Sequence, residues 1–482
     1  MGNHAVSYQS PQPEVVIWRP DKSGKPIRFD ITKKTVLQSY SFGTSINDEK
    51  GRFSLTFYPD DEELQFREDA IFDQIHPMDI VEFYESKNHF KQSYRGSFME
   101  KGEVLPTFTG VIREKKFVAQ KTDKGASRKV VVTGHSIVGL VHEFKMNFDM
   151  QATAITKEMA NNAEKQKEFT IKFIQNDNAP LDVAYVIKEV WNSYLDLSKK
   201  YGKSSNPKIG EYIKKWVGEA DDIFDVDDSV FHYPIASIFK GQTTQTFFDV
   251  IANLIPQPVY EIFPYMEAQT GKMRIKIREV PFDTDGKDTW GKMKPIEIEA
   301  KLIKSYDIKQ SDNEVYTVFF SYLIGYPIQE DKAIILAMQG VGDMPNVEID
   351  EEKFKTYGYR PLFAKFNGYG KADGTDDTKT GDKLKKLNER LKNWYSNKDK
   401  MFSGSITMET DLSADMPQAG EKISFLGGEF YVVDCEHNWN YGGAPETKIS
   451  VDRGGDYSEE AFAELTGITD RYKQFRELQN AG

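Results

Sequence analysis

Apolar residues fall on every second position in several separated stretches, a period of two that marks strands with one buried face. Phe53, Leu55 and Phe57 do so in RFSLTF, and Met273, Ile275 and Ile277 alternate with Arg274, Lys276 and Arg278. Ile423 and Phe425 alternate with Lys422 and Ser424, and Ile449 and Val451 with Lys448 and Ser450. Between them, Phe430, Val432 and Asp434 are expected on one face, opposite Tyr431 and Val433. Gly427-Gly428 suits a tight hairpin that needs φ > 0, and Gly442-Gly443 marks a looser return. Further strands are expected at Asp79 to Tyr84, Thr107 to Val118, Arg128 to Thr133, Val259 to Phe263, Ile296 to Leu302, Val315 to Tyr322 and Ile406 to Leu412.

Other stretches carry a helical period. Leu64, Ala70, Ile71 and Ile75 form a narrow stripe, and Val183, Ile187, Val190, Trp191 and Tyr194 a wider one, with Asp182 in its first turn. Thr243 or Thr244 is the expected N-cap of a helix carrying Phe247, Val250, Ile251 and Leu254, stopped by Pro256. Leu384, Leu387, Leu391 and Trp394 mark another helix, and Glu459 to Gln479 a last one. The pattern predicts an α+β, mainly β chain. Strands fill residues 1–140, a mainly helical insertion 141–258, and mixed strands 259–325, the last of these opening a second strand-rich unit. A smaller α/β insertion of loop and helix follows at 326–400, the second unit resumes at 401–457, and a helix occupies 458–482.

Composition narrows the function. The 482 residues suit two to four domains, and 13% aromatics supply ample core. One cysteine, Cys435, excludes an intramolecular disulfide, and MGNHAVSYQS has neither the basic nor the apolar region of a secretory signal. Val6 stands where N-myristoylation wants Ser or Thr. No apolar run approaches a membrane span, so a soluble chain is expected. A net charge of −12 argues against a phosphate-binding surface.

Candidate chemistry is sparse. The stretch GKDTWGKM (Gly286 to Met293) matches a phosphate loop until Met293 replaces the hydroxyl residue that would hold magnesium, and Gly340-Val341-Gly342 lacks the third glycine of a dinucleotide fingerprint. Cys435 and His437 share a strand face, but two ligands make no zinc site, and they read as a packed thiol and a rim histidine. Asp221, Asp222, Asp225, Asp227 and Asp228 lack the glycine turn and distal glutamate of a calcium loop and read as a solvated acidic loop. The sequence therefore assigns no catalytic, cofactor-binding or metal-ligating residue, and a non-enzymatic role is expected.

The two strand-rich blocks share an order. HPMDIVEFYES, FTGVIREKKF and RKVVVTGHS in one block correspond to QAGEKISFLGG, EFYVVDCEHNW and ETKISVDRGG in the other. With TTQTFFDVIANLIPQPVYEIF, REVPFD, KTYGYRPL and SVDRGG, this order resembles the baseplate hub proteins of contractile-tailed bacteriophages and related injection particles, including the hub-like part of type VI secretion spikes. The resemblance spans Glu14 to Tyr457 and implies two tail-tube-like antiparallel β-barrel domains per subunit. It also implies a homotrimer that joins a sixfold tail tube to a threefold central spike. The implied partners are the spike, the tail tube or tube initiator, the baseplate wedge proteins and the tape measure protein, with no specific nucleic acid binding and no membrane insertion. The implied location is the virion tail baseplate, with assembly in the bacterial cytoplasm. After Gly455 too little chain follows for the β-helical needle of a type VI spike, so the spike is expected as a separate polypeptide. Rival readings are a tail-associated cell-wall hydrolase housed in 141–258, or a glycan-binding tail protein using its aromatics as platforms.

Overall fold

The computed structural model describes residues 13–20, 26–31, 36–58, 71–85, 105–122, 125–146, 181–182, 215–227, 232–233, 245–255, 258–281, 289–324, 347–367, 377–410 and 416–455, with scattered positions between 184 and 195. Several expectations lie outside the described residues: Leu64 and Ala70, Val183, Val190 and Tyr194, Asp228, Thr243 and Thr244, Gly286, Gly340 to Gly342, Leu412, and Glu459 to Gln479.

The first strand-rich block contains β1 (Glu14–Pro20), β2 (Pro26–Asp30), β3 (Val36–Ser45) and β4 (Asp48–Tyr58). A one-turn helix α1 (Ile71–Gln74) then precedes β5 (Ile80–Tyr84), β6 (Phe108–Thr122) and β7 (Gly125–Ser136). Next come α2 (Gly139–Glu143), β8 (Lys145–Met146), β9 (Leu181–Asp182), α3 (Ala220–Ile223), β10 (Phe224–Val226) and β11 (His232–Tyr233). They are followed by β12 (Gln245–Thr246), α4 (Phe247–Leu254) and the hairpin β13 (Tyr260–Glu267) and β14 (Lys272–Glu279). Two short ladders, β8 with β12 and β9 with β11, tie this region together, and β10 adds to β14 in parallel.

The second block starts with α5 (Thr289–Lys292), β15 (Ile296–Glu297) and β16 (Ile303–Gln310). An insertion follows, with β17 (Val318–Ile324), β18 (Val347–Ile349), α6 (Glu351–Tyr357), β19 (Pro361–Asn367) and α7 (Asp377–Tyr395). The block resumes with β20 (Phe402–Glu409), β21 (Lys422–Phe425), β22 (Gly428–Asn440) and β23 (Glu446–Gly455). The fold is thus mainly antiparallel β, as the period-two runs require.

One 13-stranded sheet holds both blocks, and it is built twice over from the same plan. The neighbours run β1-β5-β6-β7-β4-β3 in the first unit and β15-β21-β22-β23-β20-β16 in the second. Irregularities recur at corresponding places. The ladder of β6 and β7 bulges between Ile112 and Glu114, that of β22 and β23 between Val432 and Asp434. The ladder of β3 and β4 bulges between Leu37 and Ser39, that of β16 and β20 between Ile303 and Ser305. The turns before β5 and β21 also match: Met78 at φ 77° and Gly420 at φ 83° each precede an acid, Asp79 or Glu421, whose side chain accepts from the amide three residues back. A bulge is a designed feature of a ladder, so its recurrence at equivalent registers marks duplication rather than shared texture. The units differ in that β15 runs parallel to β21, whereas β1 runs antiparallel to β5.

Core volume has been traded between the two copies. In the first, the Phe53 ring lies over Gly110 and Gly134, where a Cβ would meet it at 2.7 and 2.6 Å. By ladder register, Gly404 stands in place of Phe53 and Phe430 in place of Gly110 in the second copy. Phe430 now fills the space, and Gly454 leaves room for it. Close packing tolerates such a swap because total volume is kept. In the second unit the chain bends from β15 into β16, so the sheet returns on itself around Ile406, Ile423, Phe425, Val432 and Ile449. The first unit wraps a larger cluster that continues through Trp191, Phe247 and the inner face of the hairpin.

Phe53, Leu55 and Phe57 are buried, as are Met273, Ile275 and Ile277. Elsewhere the local pattern misled. The hairpin turn is Leu426-Gly427, not Gly427-Gly428: Phe425 pairs with Gly428, and Leu426 takes φ 53° while its side chain packs into the core. The bulge at Val433 resets the alternation, so Cys435, His437 and Trp439 are buried and Asp434 is half-buried. Ile296 to Leu302 is not one strand, because a 3-10 turn at Ala300–Leu302 breaks it. Asp182 lies in β9 rather than in a helix, and the stripe beyond it continues through Ile187, Trp191 and Leu195, all buried. The N-cap of α4 is Thr246, whose hydroxyl accepts from the Asp249 amide in a capping box.

Candidate assembly interface

The two units meet along one seam, where β22 pairs antiparallel with β3 from Asp434 opposite Ser45 to Asn440 opposite Ser39. The seam is bounded by the two bulges. At one end the Val433 carbonyl accepts from the Ile46 amide at 2.9 Å, and at the other the Gln38 carbonyl accepts from the Tyr441 amide at 2.7 Å. On the inner face, Phe42 stacks on His437 with ring centroids 5.0 Å apart, and Tyr40 stacks on Trp439 at 5.7 Å. Phe83 and Phe108 close over Phe42, each with its centroid 5.2 Å away. On the other face Arg52 reaches Asp434 and Glu436, both at 3.5 Å. Gly43 is needed here, since a Cβ would lie 2.7 Å from the Cys435 carbonyl. Tyr40 donates to Glu85, whose buried carboxyl is pushed up to about 7 by desolvation.

His437 is therefore not a rim residue. It lies in the seam with Nδ1 at 3.0 Å from the Thr447 hydroxyl, and burial holds its pKa down to about 4. Cys435 donates to the Pro417 carbonyl, and burial pushes its thiol well above the usual range, the state of an inert packed sulfur. His437 stays neutral because a buried imidazolium would have no compensating charge.

The β13 and β14 hairpin is bolted to the second unit by a buried polar network. Arg278 pairs with Glu261 at 2.6 Å and donates to the Gly420 carbonyl, while the Tyr431 hydroxyl donates to Glu261 at 2.6 Å. Gln418 completes it, accepting from the Met266 amide at 2.7 Å and donating to the Met266 carbonyl at 2.9 Å. At Gly420 a Cβ would strike the Phe263 ring at 2.3 Å, and its positive φ independently favours glycine. Burial raises the Glu261 carboxyl, against the pull of Arg278. A cavity of about 690 Å³ opens beside this network, lined in part by Tyr260, Trp394, Lys398 and Arg453.

Four of the acidic residues, Asp221, Asp222, Asp225 and Asp227, are engaged in ion pairs. Asp221 and Asp222 sit on α3, Asp225 on β10 and Asp227 just past it, with the cationic face of β14 alongside. Asp222 pairs with Lys272 at 2.7 Å, Asp225 with Lys276 at 3.1 Å and Asp227 with Lys276 at 3.3 Å. Asp221 turns to Lys188 at 2.7 Å. Burial alone would raise Asp225, but hydrogen bonds from Tyr265 and Lys276 outweigh it and hold the carboxyl below its ordinary value. Of GKDTWGKM, Thr289–Lys292 is a short helix whose Trp290 packs on Tyr431 and under the Lys422 ammonium, 4.7 Å from the ring centroid. Among the described residues, no three His, Cys, Asp or Glu side chains converge as metal ligands, and no helix is long and apolar enough to cross a membrane.

No protein-family model and no curated protein matches the chain. Solved structures do. The chain is similar to the 43 kDa tail protein of prophage MuSo2 from Shewanella oneidensis, at 12% identity over 91% of this chain and 97% of that one, with a TM-score of 0.43. It is similar to a tail protein from Neisseria meningitidis at 10% identity, covering 91% and 96% with a TM-score of 0.46. A third is the E. coli c3393 protein, a component of the type VI secretion system that is itself structurally similar to the T4 bacteriophage tail proteins gp27 and gp5. It shows 8% identity over 88% of this chain and 74% of that one, with a TM-score of 0.35. These neighbours are phage tail and secretion components.

Proposed function

We propose that the chain is a structural baseplate hub of a contractile tail, a homotrimer that joins the sixfold tail tube to the threefold central spike. The observation that carries the reading is the duplicated six-strand unit, with its bulges at equivalent registers. Three copies of a two-unit chain present six similar barrels, and a closed ring of identical subunits needs a repeated interface of that kind. In this reading residues 1–140 and 401–457, with the strands that end 259–325, are the tube-like barrels, and 141–258 and 326–400 are insertions facing neighbouring baseplate parts. Residues 458–482 lie beyond the second barrel. The partners are the spike, the tail tube or its initiator, the wedge proteins and the tape measure protein. The location is the virion tail, after assembly in the bacterial cytoplasm. No reaction is assigned to the chain. The test is the mass and symmetry of particles formed by the purified chain, with and without its spike. Threefold rings are expected; a monomer with the spike present refutes the hub.

A further inference from the structure

Four parts of the chain meet around the cavity beside Glu261. Asn47 comes from the turn after β3, Tyr260 from β13, Ser450 from β23 and Trp394 from α7. At about 690 Å³ the cavity has the size of a small-molecule pocket, for which roughly 300 to 1,000 Å³ is usual.

The wall selects its ligand by elimination. Its ion pairs are closed within the chain: Glu261 is held by Arg278 at 2.6 Å, and Lys398 holds Glu314 at 2.9 Å and also Asp452. Arg453 donates to the Trp394 carbonyl at 2.8 Å and lies over the Tyr395 ring. Lys309 and Glu49, which also line the cavity, are of opposite sign. The charges balance, so the wall favours neither an anion nor a cation. An apolar ligand fits no better, because Asn47, Asn313, Ser403 and Ser450 share the wall. Among the described residues, none of these four side chains is engaged by the chain's own hydrogen bonds. A hydrocarbon would strip them of water and return nothing. What remains is a neutral molecule rich in groups that both donate and accept.

We propose that the cavity binds a short neutral oligosaccharide, whose hydroxyls bond Asn47, Asn313, Ser403 and Ser450 and whose C–H faces pack on Tyr316. Each asparagine amide offers a donor and an acceptor, which matches a hydroxyl that does both. Ionised carboxylates have several lone-pair sites, so Glu314 and Asp452 can accept from further hydroxyls without releasing Lys398. Tyr316 is half-buried, and its ring is fixed edge-on against Tyr395 with centroids 5.4 Å apart, so it supplies a rigid wall. The proposal is one of binding alone, and it adds a site to the hub reading without depending on it.

Titration calorimetry and saturation-transfer NMR on the full chain test it, with maltotriose and triacetylchitotriose as neutral probes and sialyllactose as the charged comparison. Saturable binding of a neutral probe is expected. Asn47→Ala and Asn313→Ala alter exposed turn positions, so each variant should keep the wild-type circular dichroism and thermal midpoint. Together they are expected to weaken the neutral sugar by about 10-fold, as the loss of two hydrogen bonds implies. Failure of both neutral probes to bind overturns the site. So does binding of sialyllactose alone, which would mean that the wall selects charge, or binding that the double variant leaves unchanged, which would place the sugar elsewhere. Threefold rings that take up no neutral sugar strike this site and leave the hub reading standing.

Discussion

Phe42→Ala is the substitution that most directly weighs the seam. The ring is 2% exposed and touches Tyr40, Phe83, Phe108 and His437, so it belongs to both units at once. An aromatic side chain of this kind buries roughly 150 to 250 Å², which at ~25 cal/mol per Å² sets an upper transfer value of about 4 to 6 kcal/mol. Phenylalanine truncations in cores cost ~3 to 5 kcal/mol once partial collapse is included, so a loss of about 4 kcal/mol is expected. The cross-seam share is isolated by a double-mutant cycle with His437→Ala, for which ring stacking at 5.0 Å predicts a coupling of about 0.5 to 1.5 kcal/mol. The assay is urea unfolding at pH 7, followed by tryptophan emission and far-ultraviolet circular dichroism together. A loss under ~1 kcal/mol, or strict additivity in the cycle, refutes the claim that these rings hold the two units together.

Glu85 makes the same region sensitive to pH. Its carboxyl titrates near 7 in the fold and near 4.5 when unfolded, so between those values the folded state holds a proton that the unfolded state has lost. Its contribution therefore falls by about 3 kcal/mol as pH rises through that window, and Glu85→Gln should remove the fall; parallel denaturation curves at pH 5 and 8 with the same slope for both proteins would contradict it. His437 acts in the opposite sense: with its pKa held near 4, stability present above about pH 6.5 is lost as pH drops through the window down to 4, and His437→Gln should flatten that limb of the same curves. Gly420→Ala should destabilise by more than ~2 kcal/mol, because it adds a clash with Phe263 to a left-handed φ, and a thermal midpoint unchanged from wild type would show that the hairpin is not bolted there.

What the residues disclosed locally and what they concealed have physical causes. Phe53, Leu55 and Phe57 alternate cleanly because β4 is paired on both sides and buries one face, so its pattern needs no knowledge of the rest of the chain. β16 carries no clear period because, among the described residues, it pairs on one side only and its IKSYDIKQ buries nothing completely. The bulge at Val433 was also hidden: an extra residue in a ladder leaves no composition signature, yet it moves Cys435, His437 and Trp439 to the inside. The repeat was visible in three of its strands, but the pairing of β22 with β3 was not, because register between distant strands is written in no local period. Glu261 shows the same limit from the side of chemistry, since only the fold brings Arg278 and Tyr431 to a buried carboxylate.

The seam also dictates a timetable. The Val433 carbonyl bonds the Ser45 hydroxyl across 388 residues of chain, so β3 emerges from the ribosome long before its partner strand exists. At roughly 5 to 20 residues per second the wait is about 20 to 80 s, during which the Tyr40 and Phe42 edge is uncovered and open to the wrong strand. Nascent chains arrested before Gly428 should accordingly bind a holdase chaperone through residues 36–45, and release it once β22 has been made. Completion of the first unit's flank is thus a late event in synthesis.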